Sequence, residues 1–217
     1  MYSAIILGGG TGERLGLGYN KVLYKVKGKT VIEHAVQKFL DDKEFNEIIV
    51  VMNRNDYDQT KVLFNDQRVR VIKGGQTRQE SVYLGLKDIQ LNDFVFIHDG
   101  ARPNPSSKSI DSLKEKLVLG GVTLFTPVKD SVIYRSHSEI ESYLEREKIG
   151  LIKTPQAFDL KEILLAYQKA QANGHHYKDD ASLYMRELKK DIQLVQDVET
   201  NIKLTTKFDM ILLEELL

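Results

Sequence analysis

A glycine-rich segment near the start of the chain combines residue types that bind phosphate. Residues 7–16 read Leu-Gly-Gly-Gly-Thr-Gly-Glu-Arg-Leu-Gly, with one cation, Arg14, inside the segment and another, Lys21, shortly after it. Because glycine has no Cβ, such a loop can bring backbone N–H groups close to an anion. Two cations beside the loop favour a triphosphate over a dinucleotide, although glycines in this arrangement also form plain tight turns.

The spacing of these glycines does not match two common nucleotide-binding loops. A Walker A loop closes with Gly-Lys-Ser or Gly-Lys-Thr, which is missing here. The dinucleotide fingerprint Gly-x-Gly-x-x-Gly, counted from Gly8, would need glycine where Glu13 stands, and counted from Gly10 it would need glycine at Leu15. The segment therefore indicates a phosphate site of another kind.

Two further segments carry groups suited to a nucleotide and a second substrate. Residues 74–81 read Gly-Gly-Gln-Thr-Arg-Gln-Glu-Ser. The glycines can admit a nucleotide base against the backbone, and Ser81 can form a hydrogen bond to the edge of that base. The alternative is a Gly-Gly turn followed by an ordinary helix cap. Residues 98–103 read His-Asp-Gly-Ala-Arg-Pro. Asp99 can bind Mg²⁺ or a substrate hydroxyl, or it can pair with Arg102 to hold the loop. His98 is interpreted as structural.

Three downstream segments supply the remaining candidates; they are Lys-Thr-Pro-Gln at 153–156, Lys-Asp-Asp-Ala-Ser at 178–182 and Asn-Ile-Lys-Leu-Thr-Thr at 201–206. Each has a plainer alternative: a turn around Thr154, and a helix N-cap at Asp179 or its neighbour. Lys203 is flanked by apolar residues in an apparent strand, where it is either solvated at an edge or aimed at an anion. His175 and His176 lack a third metal ligand.

Alternating apolar runs and helical patterns predict the elements that position these groups. The predicted strands are 4–7, 48–52, 69–72, 94–97 and 122–128, and the predicted helices are 31–40, 56–64, 77–86, 160–172, 181–188 and 207–217. Two helices open with a capping box, Thr30 with Glu33 and Thr77 with Glu80. The alternation predicts an α/β fold, a mostly parallel twisted sheet with helices on both faces. Ligands bind at the carboxyl ends of such strands.

Residues 130–148 break the alternation. Val132-Ile133-Tyr134, a polar tip, and then Ile140 and Tyr143-Leu144 predict a β-hairpin arm that protrudes from a single domain spanning 1–217. A surface hairpin is one interpretation. An exposed apolar arm more often packs against a partner, here a two-fold mate, so a homodimer is expected.

Composition narrows the function further. The 217 residues include 31 Lys+Arg and 31 Asp+Glu, and this neutral balance disfavours non-specific nucleic-acid binding. Without cysteine the chain has no thiol nucleophile, disulfide or thiolate metal site. No apolar run approaches the roughly 18 residues of a membrane span, and the first residues lack the basic region of a signal peptide. We therefore expect a cytoplasmic protein without membrane or nucleic-acid partners.

In their joint order and spacing these segments resemble the 2-C-methyl-D-erythritol 4-phosphate cytidylyltransferase family, over essentially the whole chain. The resemblance implies a Rossmann-like nucleotidyltransferase domain. It also implies transfer of CMP from CTP to 2-C-methyl-D-erythritol 4-phosphate, with release of pyrophosphate, in non-mevalonate isoprenoid biosynthesis. The sister family, ribitol 5-phosphate cytidylyltransferases, usually has Val where Ala101 stands, and its Asp-Ala-Cys segment has no match here.

The resemblance implies roles for individual residues. The catalytic cations around the phosphates would be Arg14, Lys21 and Lys203. The nucleotide-binding positions would be Leu7, Gly8, Gly9, Gly10, Gly12, Gly75, Arg78, Ser81, Asp99 and Gly100. The positions on the polyol side would be Asp99, Arg102, Ser131, Arg146, Thr154, Lys178 and Lys203. Arg146, on the arm, would reach the substrate phosphate of the other subunit. Mg²⁺ would be held mainly by the CTP phosphates, with Asp99 as a candidate ligand.

The chain departs from the family pattern at five positions. Asn20 and Val22 stand where the family has Pro and Gln. Gln76 replaces an acidic residue, Gly100 replaces Ala, and Lys178 replaces a substrate-contacting Thr. These differences bear on which polyol phosphate binds: the ribitol compound or another polyol phosphate is the alternative.

The implied reaction explains a site rich in cations. The attacking phosphate oxygen of the polyol is already ionised at pH 7, so the protein has to position the reactants and stabilise charge. Two other classes of protein are alternatives to a nucleotidyltransferase. A nucleotide-binding oxidoreductase is disfavoured by the glycine spacing and by Asn53, where an acidic residue would follow the second strand. A non-catalytic nucleotide sensor is disfavoured because the cations and Asp99 occur together.

Overall fold

The computed structural model describes residues 1–10, 15–118 and 120–217. The strands are β1 (Tyr2–Leu7), β2 (Lys25–Val26), β3 (Lys29–Thr30), β4 (Phe45–Met52), β5 (Val69–Lys73), β6 (Phe94–Asp99), β7 (Val122–Pro127), β8 (Val132–Ser136), β9 (Glu139–Leu144), β10 (Gly150–Asp159) and β11 (Gln193–Gln196). The helices are α1 (Val31–Leu40), α2 (Tyr57–Lys61), α3 (Arg78–Asp88), α4 (Ser107–Leu117), α5 (Leu160–Ala172), α6 (Asp180–Leu188) and α7 (Lys207–Leu216). Short 3₁₀ turns occupy Lys21–Leu23 and Arg146–Lys148.

A seven-stranded sheet forms the centre of the fold, in the order β11-β7-β10-β6-β1-β4-β5. β1 is parallel to both β4 and β6, β4 is parallel to β5, and β11 is parallel to β7. β10 runs antiparallel to β6 and β7. The prediction of a mostly parallel α/β sheet is confirmed, and the carboxyl ends of β1, β4, β5 and β6 share one edge.

Helices cover both faces of this sheet, as predicted. Neighbouring residues of a strand point to opposite faces. In β1, Ala4 and Ile6 belong to the apolar cluster that includes α1 and α4, whereas Ile5 belongs to the cluster that includes α3, α5 and α6. A third, smaller cluster joins Leu213 of α7 to Leu204, and so anchors the segment that carries Lys203.

The hairpin predicted for 130–148 is formed by β8 and β9, which pair antiparallel as a separate two-stranded sheet. Its large apolar side chains face solvent in the single chain: Tyr134 is 61% exposed, Ile140 is 55% and Tyr143 is 70%. Among the described residues, no helix has both the length and the apolar character needed to cross a bilayer.

Three local predictions are wrong. The helix predicted at 56–64 is restricted to Tyr57–Lys61, because Leu63 N–H bonds to the carbonyl of Thr60 in a tight turn. Residues 201–205 form no strand: Leu204 N–H makes one backbone bond, to Ala101, instead of joining a ladder. The third wrong prediction is the capping box at Thr77.

The Thr30–Glu33 capping box is confirmed, but the one at Thr77 is only half formed. Thr77 caps α3 by accepting from Glu80 N–H, whereas the Glu80 carboxylate accepts from Gln76 N–H instead of returning to the cap residue. α4, β10 and β11 were not predicted. β10 contains Pro155, and a proline within a run of residues argues against a strand, so its sequence pattern is obscured.

Candidate active site

A cleft of about 420 Å³ opens at the carboxyl edge of β1, β4, β5 and β6. Its lining residues come from six separate parts of the sequence; they are Leu7, Gly9, Gly10, Lys21, Val22, Asn53, Gly75, Gln76, Thr77, Arg78, Ser81, Asp99, Ala101, Lys203 and Thr205. Nine of these were predicted as site residues from the sequence. The strand-end placement of the site is therefore as predicted.

The glycine segment starts at the end of β1, where the backbone is held tightly. Gly8 N–H donates to the carbonyl of Val51 (2.8 Å), and the Gly8 carbonyl accepts from the side-chain amide of Asn20 (2.6 Å). A Cβ on Gly8 would lie 2.2 Å from Sδ of Met52, so close packing requires glycine there. Gly9 and Gly10 are exposed and line the cleft. Gly12 and Arg14 lie outside the described residues.

A second backbone turn, between β5 and α3, forms the opposite wall. Gly74 N–H donates to the carbonyl of Met52 (2.7 Å). The Ser81 hydroxyl donates to the Thr77 carbonyl (2.8 Å) and accepts from Gly75 N–H (3.1 Å). Ser81 thus holds the Gly-Gly turn against the first turn of α3, and its side chain lines the cleft at the same time.

Lys21 is brought to the floor of the cleft by the short 3₁₀ turn that it begins. Asn20 caps this turn by accepting from Val22 N–H. The Lys21 side chain is largely buried, and its Nζ donates to the carbonyl of Leu204 at 2.6 Å. This contact places the ammonium group of Lys21 beside the backbone of the residue that follows Lys203.

Asp99 lies among three cations at the end of β6. Lys203 Nζ donates to its Oδ2 at 2.7 Å, while Nε of Arg78 and Nε of Arg102 lie 3.8 Å and 3.9 Å from its carboxylate oxygens. Burial by itself would raise the pKa of Asp99, but the positive charges outweigh burial and lower the pKa to about 2. The carboxylate is therefore ionised at neutral pH.

Arg78 is fixed by a buried carboxylate from the 178–182 segment, Asp180, for which the sequence predicted no role in the site. Its NH1 and NH2 donate to Oδ1 (3.0 Å) and Oδ2 (2.7 Å) of Asp180, and the Tyr167 hydroxyl donates to the same Oδ1 at 2.5 Å. Burial would lower the pKa of Arg78, but the charge of Asp180 raises it overall. Asp179, the neighbouring residue, is the N-cap of α6 and accepts from Ser182 N–H.

Several predicted site residues support the cleft from behind instead of lining it. The side chain of Arg102 is 12% exposed and donates to the carbonyl of Asn201 (3.0 Å). Thr154 is buried and accepts from Asp99 N–H (3.1 Å). Gly100 donates its N–H to the Leu7 carbonyl (2.8 Å), which ties the two strand ends together.

Three predicted residues on the polyol side are exposed and outside the cleft in the single chain: Ser131, Arg146 and Lys178. Arg146 donates to the carbonyl of Lys129 (2.9 Å) and contacts Glu147. Lys178 lies two residues before Asp180, so it adjoins the wall that Arg78 forms.

The described donor set fits a magnesium ion that arrives with phosphates better than one held by the protein alone. No group of three His, Asp or Glu side chains converges in the described ranges. Asp99 is the one carboxylate among the described lining residues, and it is already surrounded by cations. Mg²⁺ commonly keeps several waters and binds through one or two carboxylates plus substrate phosphates.

Sequence reasoning missed Asn53 and Asp180 as site residues. Asn53 comes directly after β4, in the same way that Asp99 ends β6. The rule that ligands bind at the carboxyl ends of parallel strands was therefore sufficient to find it. Its side chain donates to Asp56 (2.6 Å), which also accepts from Asn20 (2.8 Å). Asp180 lies in the candidate segment 178–182, but its pairing with Arg78 gives no local signal, because Arg78 is distant in sequence.

Comparison with known proteins gives consistent matches over the full length. The sequence profile of the family "2-C-methyl-D-erythritol 4-phosphate cytidylyltransferase" matches residues 2–217. Relatives with the same description include a protein of Halalkalibacterium halodurans, 35% identical, and one of Bacillus velezensis, 36% identical. Both alignments cover 100% of this chain and 96% and 95% of the relatives, respectively.

Solved structures show the same similarity. The Francisella tularensis 2-C-methyl-D-erythritol 4-phosphate cytidylyltransferase superposes with a TM-score of 0.86 at 29% identity, over 100% of this chain and 99% of that one. The 4-diphosphocytidyl-2C-methyl-D-erythritol synthase of Anaerococcus prevotii gives 0.83 at 30% identity, over 99% and 97% of the two chains.

Proposed function

The chain belongs to the 2-C-methyl-D-erythritol 4-phosphate cytidylyltransferase family, and on that premise we propose that its cleft binds CTP and the polyol phosphate side by side and joins them at the α-phosphorus. The enzyme is a cytidylyltransferase of non-mevalonate isoprenoid biosynthesis. The products are the CDP-polyol and pyrophosphate.

The observation that carries this proposal is the meeting of Lys21 and Lys203 at one end of a glycine-walled cleft. Both side chains line the cleft, and Lys21 bonds to the residue next to Lys203. Phosphates that enter between the two glycine turns would meet fixed positive charge and backbone N–H groups. Electrostatic stabilisation of this kind is the main task in phosphoryl and nucleotidyl transfer.

The reaction we assign is a single in-line displacement. A phosphate oxygen of the polyol phosphate attacks the α-phosphorus of CTP, the bond to the bridging oxygen breaks, and pyrophosphate leaves with that electron pair. No proton has to be removed from the nucleophile, because it is ionised at neutral pH. Lys21 and Arg14 stabilise charge on the triphosphate, while Lys203 and Asp99 orient the polyol.

We assign the cytosine to the wall made by Gly75 and Ser81. That wall is narrow because Ser81 and Glu80 already pack against the two glycines, so a Cβ on Gly75 would lie 2.2 Å from Glu80 Cγ. A pyrimidine edge can bond the backbone there, whereas a purine would need more space. We therefore expect CTP to be preferred to ATP and GTP.

Mg²⁺ is proposed to accompany CTP, with Asp99 as the residue of this chain that could add a ligand. When bound, the ion would neutralise phosphate charge. Lys21 and Arg78 both line the cleft, so these two protein cations would also neutralise phosphate charge. We place the reaction in the cytoplasm, where nucleoside triphosphates are available.

A homodimer through the arm is proposed as the working unit, each chain contributing one catalytic domain and its arm. The support is that β8 and β9 expose Tyr134, Ile140 and Tyr143 to solvent in the single chain. Exposed apolar side chains in such a cluster mark an interaction surface. Burial against a two-fold mate would carry Arg146 to the partner's site, where its guanidinium can bind the substrate phosphate.

Pyrophosphate release tests the proposal. The enzyme is supplied with each of the four nucleoside triphosphates and with a panel of polyol phosphates that includes the methylerythritol and ribitol compounds. We expect release only when CTP and 2-C-methyl-D-erythritol 4-phosphate are both present. Equal turnover with ATP, or release without any polyol phosphate, would contradict the assignment.

A further inference from the structure

His98 is a fully buried imidazole directly beneath the Asp99 end of the cleft. Its side chain is 0% exposed and lies against the ring of Phe39, with centroids 5.4 Å apart. It does not line the cleft. Both ring nitrogens nevertheless have partners: Nδ1 lies 3.2 Å from Oγ1 of Thr154, and Nε2 lies 2.8 Å from the carbonyl oxygen of Arg102.

These partners fix the position of the imidazole proton. A carbonyl oxygen can only accept, so Nε2 carries the hydrogen and donates it to Arg102. In a neutral ring Nδ1 is then an acceptor, and the hydroxyl of Thr154 donates to it. The same hydroxyl oxygen accepts from Asp99 N–H at 3.1 Å. The result is one directed chain of hydrogen bonds, from Asp99 N–H through Thr154 to His98 and on to the Arg102 carbonyl.

The chain of bonds spans the turn that presents Asp99. Arg102 N–H bonds to the Asp99 carbonyl (2.9 Å), which closes the turn, and the Ala101 carbonyl accepts from Leu204 N–H (2.8 Å). His98 thus holds the first backbone N–H of the turn, through Thr154, and its last carbonyl directly. The Lys203 segment docks on the same turn.

We propose that His98 is a positioning residue whose neutral imidazole, protonated on Nε2, locks the turn of residues 99–102 and thereby holds Asp99 where the polyol phosphate binds. The proposal rests on the function proposed above for the polyol side of the cleft. It also gives Thr154 a second role, the support of Asp99 through its backbone N–H.

The tautomer can be measured without any substrate. Two-bond ¹H–¹⁵N correlations of uniformly labelled wild-type protein at pH 7 should show one histidine with a protonated Nε2 and an unprotonated Nδ1, and its signals should vanish in His98→Gln. An imidazolium ring, or a ring protonated on Nδ1, would overturn the proposal. This NMR measurement tests the proposal even if the protein makes no CDP-polyol. That failure would refute the proposed function but not the proposed role of His98.

Two substitutions separate the two halves of the bond network. His98→Gln can keep a donor to the Arg102 carbonyl but loses the acceptor for Thr154, while His98→Asn can keep that acceptor but loses the donor. In each we expect kcat/KM for the polyol phosphate to fall at least about tenfold, the scale of a lost buried hydrogen bond. KM for CTP should change less than about threefold, because the glycine turns are untouched.

Matched variants keep the test decisive. His34→Asn removes a similar contact, from Nε2 to the Val26 carbonyl at 2.9 Å, at a residue that does not line the cleft, and should leave both kinetic constants unchanged. If the His98 variants do not fold, Thr154→Ser and Thr154→Val replace them: serine keeps the hydroxyl and should retain activity, whereas valine should lose it. Full activity in the His98 variants, or in Thr154→Val, would overturn the proposal. An equal rise in KM for the polyol phosphate and for CTP would overturn it as well.

Discussion

The ammonium group of Lys21 donates a hydrogen bond to the carbonyl oxygen of Leu204 at 2.6 Å, although 183 positions separate the two residues in the chain. The bond links the glycine-rich beginning of the chain to the segment that carries Lys203, near its end. Two cations from opposite ends of the sequence are thereby held at one place. The proposed catalysis depends on that arrangement of the two cations.

Replacement of Lys21 by alanine should lower kcat by on the order of 10²–10³, the usual cost of removing one preorganised donor from developing charge. The fold should persist, because the side chain contributes to the floor of the cleft and not to the apolar clusters. Steady-state pyrophosphate release measures the effect. Lys25→Ala, an exposed lysine four positions away, is the control and should behave as wild type. Nearly normal kcat in Lys21→Ala would refute the assigned role.

Asp99 should make stability depend on pH in the acid range. Its folded pKa of about 2 lies below the ordinary value of 3.8, so the stabilisation is complete above pH 4 to 5 and is lost as pH falls toward about 2. The pH-dependent part amounts to about 2 kcal/mol. Urea unfolding of wild type and Asp99→Asn from pH 7 to pH 3 tests this.

The stability difference between those two proteins should be largest at neutral pH and shrink with acidification. In Asp99→Asn, Lys203 and Arg78 lose their shared counter-charge, so the variant should be the less stable protein at pH 7. A difference that does not vary with pH would contradict the ion-pair account.

Gln79 should control the loop that precedes α6. Its side-chain amide donates to the His175 carbonyl (3.1 Å) and accepts from Tyr177 N–H (3.0 Å), so one residue of α3 holds the backbone next to Lys178. Gln79→Ala should raise KM for the polyol phosphate about 3–10-fold, the cost of one or two hydrogen bonds, with KM for CTP unchanged.

A double-mutant cycle with Lys178→Thr shows whether that effect passes through Lys178. If it does, Gln79→Ala has little additional effect in the Lys178→Thr background. Lys87→Ala, at the exposed far end of the same helix, serves as control. Unchanged KM for both substrates in Lys178→Thr would assign that lysine to solvent.

Arg146 should act across the dimer. Lys21→Ala and Arg146→Ala proteins, each inactive alone, are mixed under conditions that exchange subunits. Half of the sites in each mixed dimer would then hold both intact residues, and partial activity should return. If subunit exchange is proven by mass spectrometry but no activity returns, Arg146 does not serve the partner's site.

The part of the site that could be predicted from the sequence is the part that lies where parallel strands end. The buried strands and glycine breaks place Leu7, Gly75 and Asp99 at one sheet edge, because parallel strands end together. The helix at 160–172 is found with its predicted bounds, since its apolar spacing is regular and Asp159 caps it. Periodicity and caps are local, so they can be read along the chain.

The remaining features depend on contacts that have no local signal. Asp180 looks like part of a helix start until the fold brings Arg78 to it. Thr154 and Arg102 carry the residue types of substrate contacts, yet the turn at Asp99 uses both of them for support. Lys203 sits in an apolar context that resembles a strand, but a single bond between Leu204 and Ala101 replaces the ladder.

The most direct test of the central claim is identification of the product by ³¹P NMR. Protein, Mg²⁺, CTP and 2-C-methyl-D-erythritol 4-phosphate are mixed, and the spectrum is followed with time. The account predicts two coupled diphosphate signals of a CDP-polyol that grow together with an equal amount of pyrophosphate, and none of this in Lys21→Ala over the same period. Formation of CMP by hydrolysis would contradict it, and so would a CDP-polyol that forms only when ribitol 5-phosphate replaces the methylerythritol compound in the mixture.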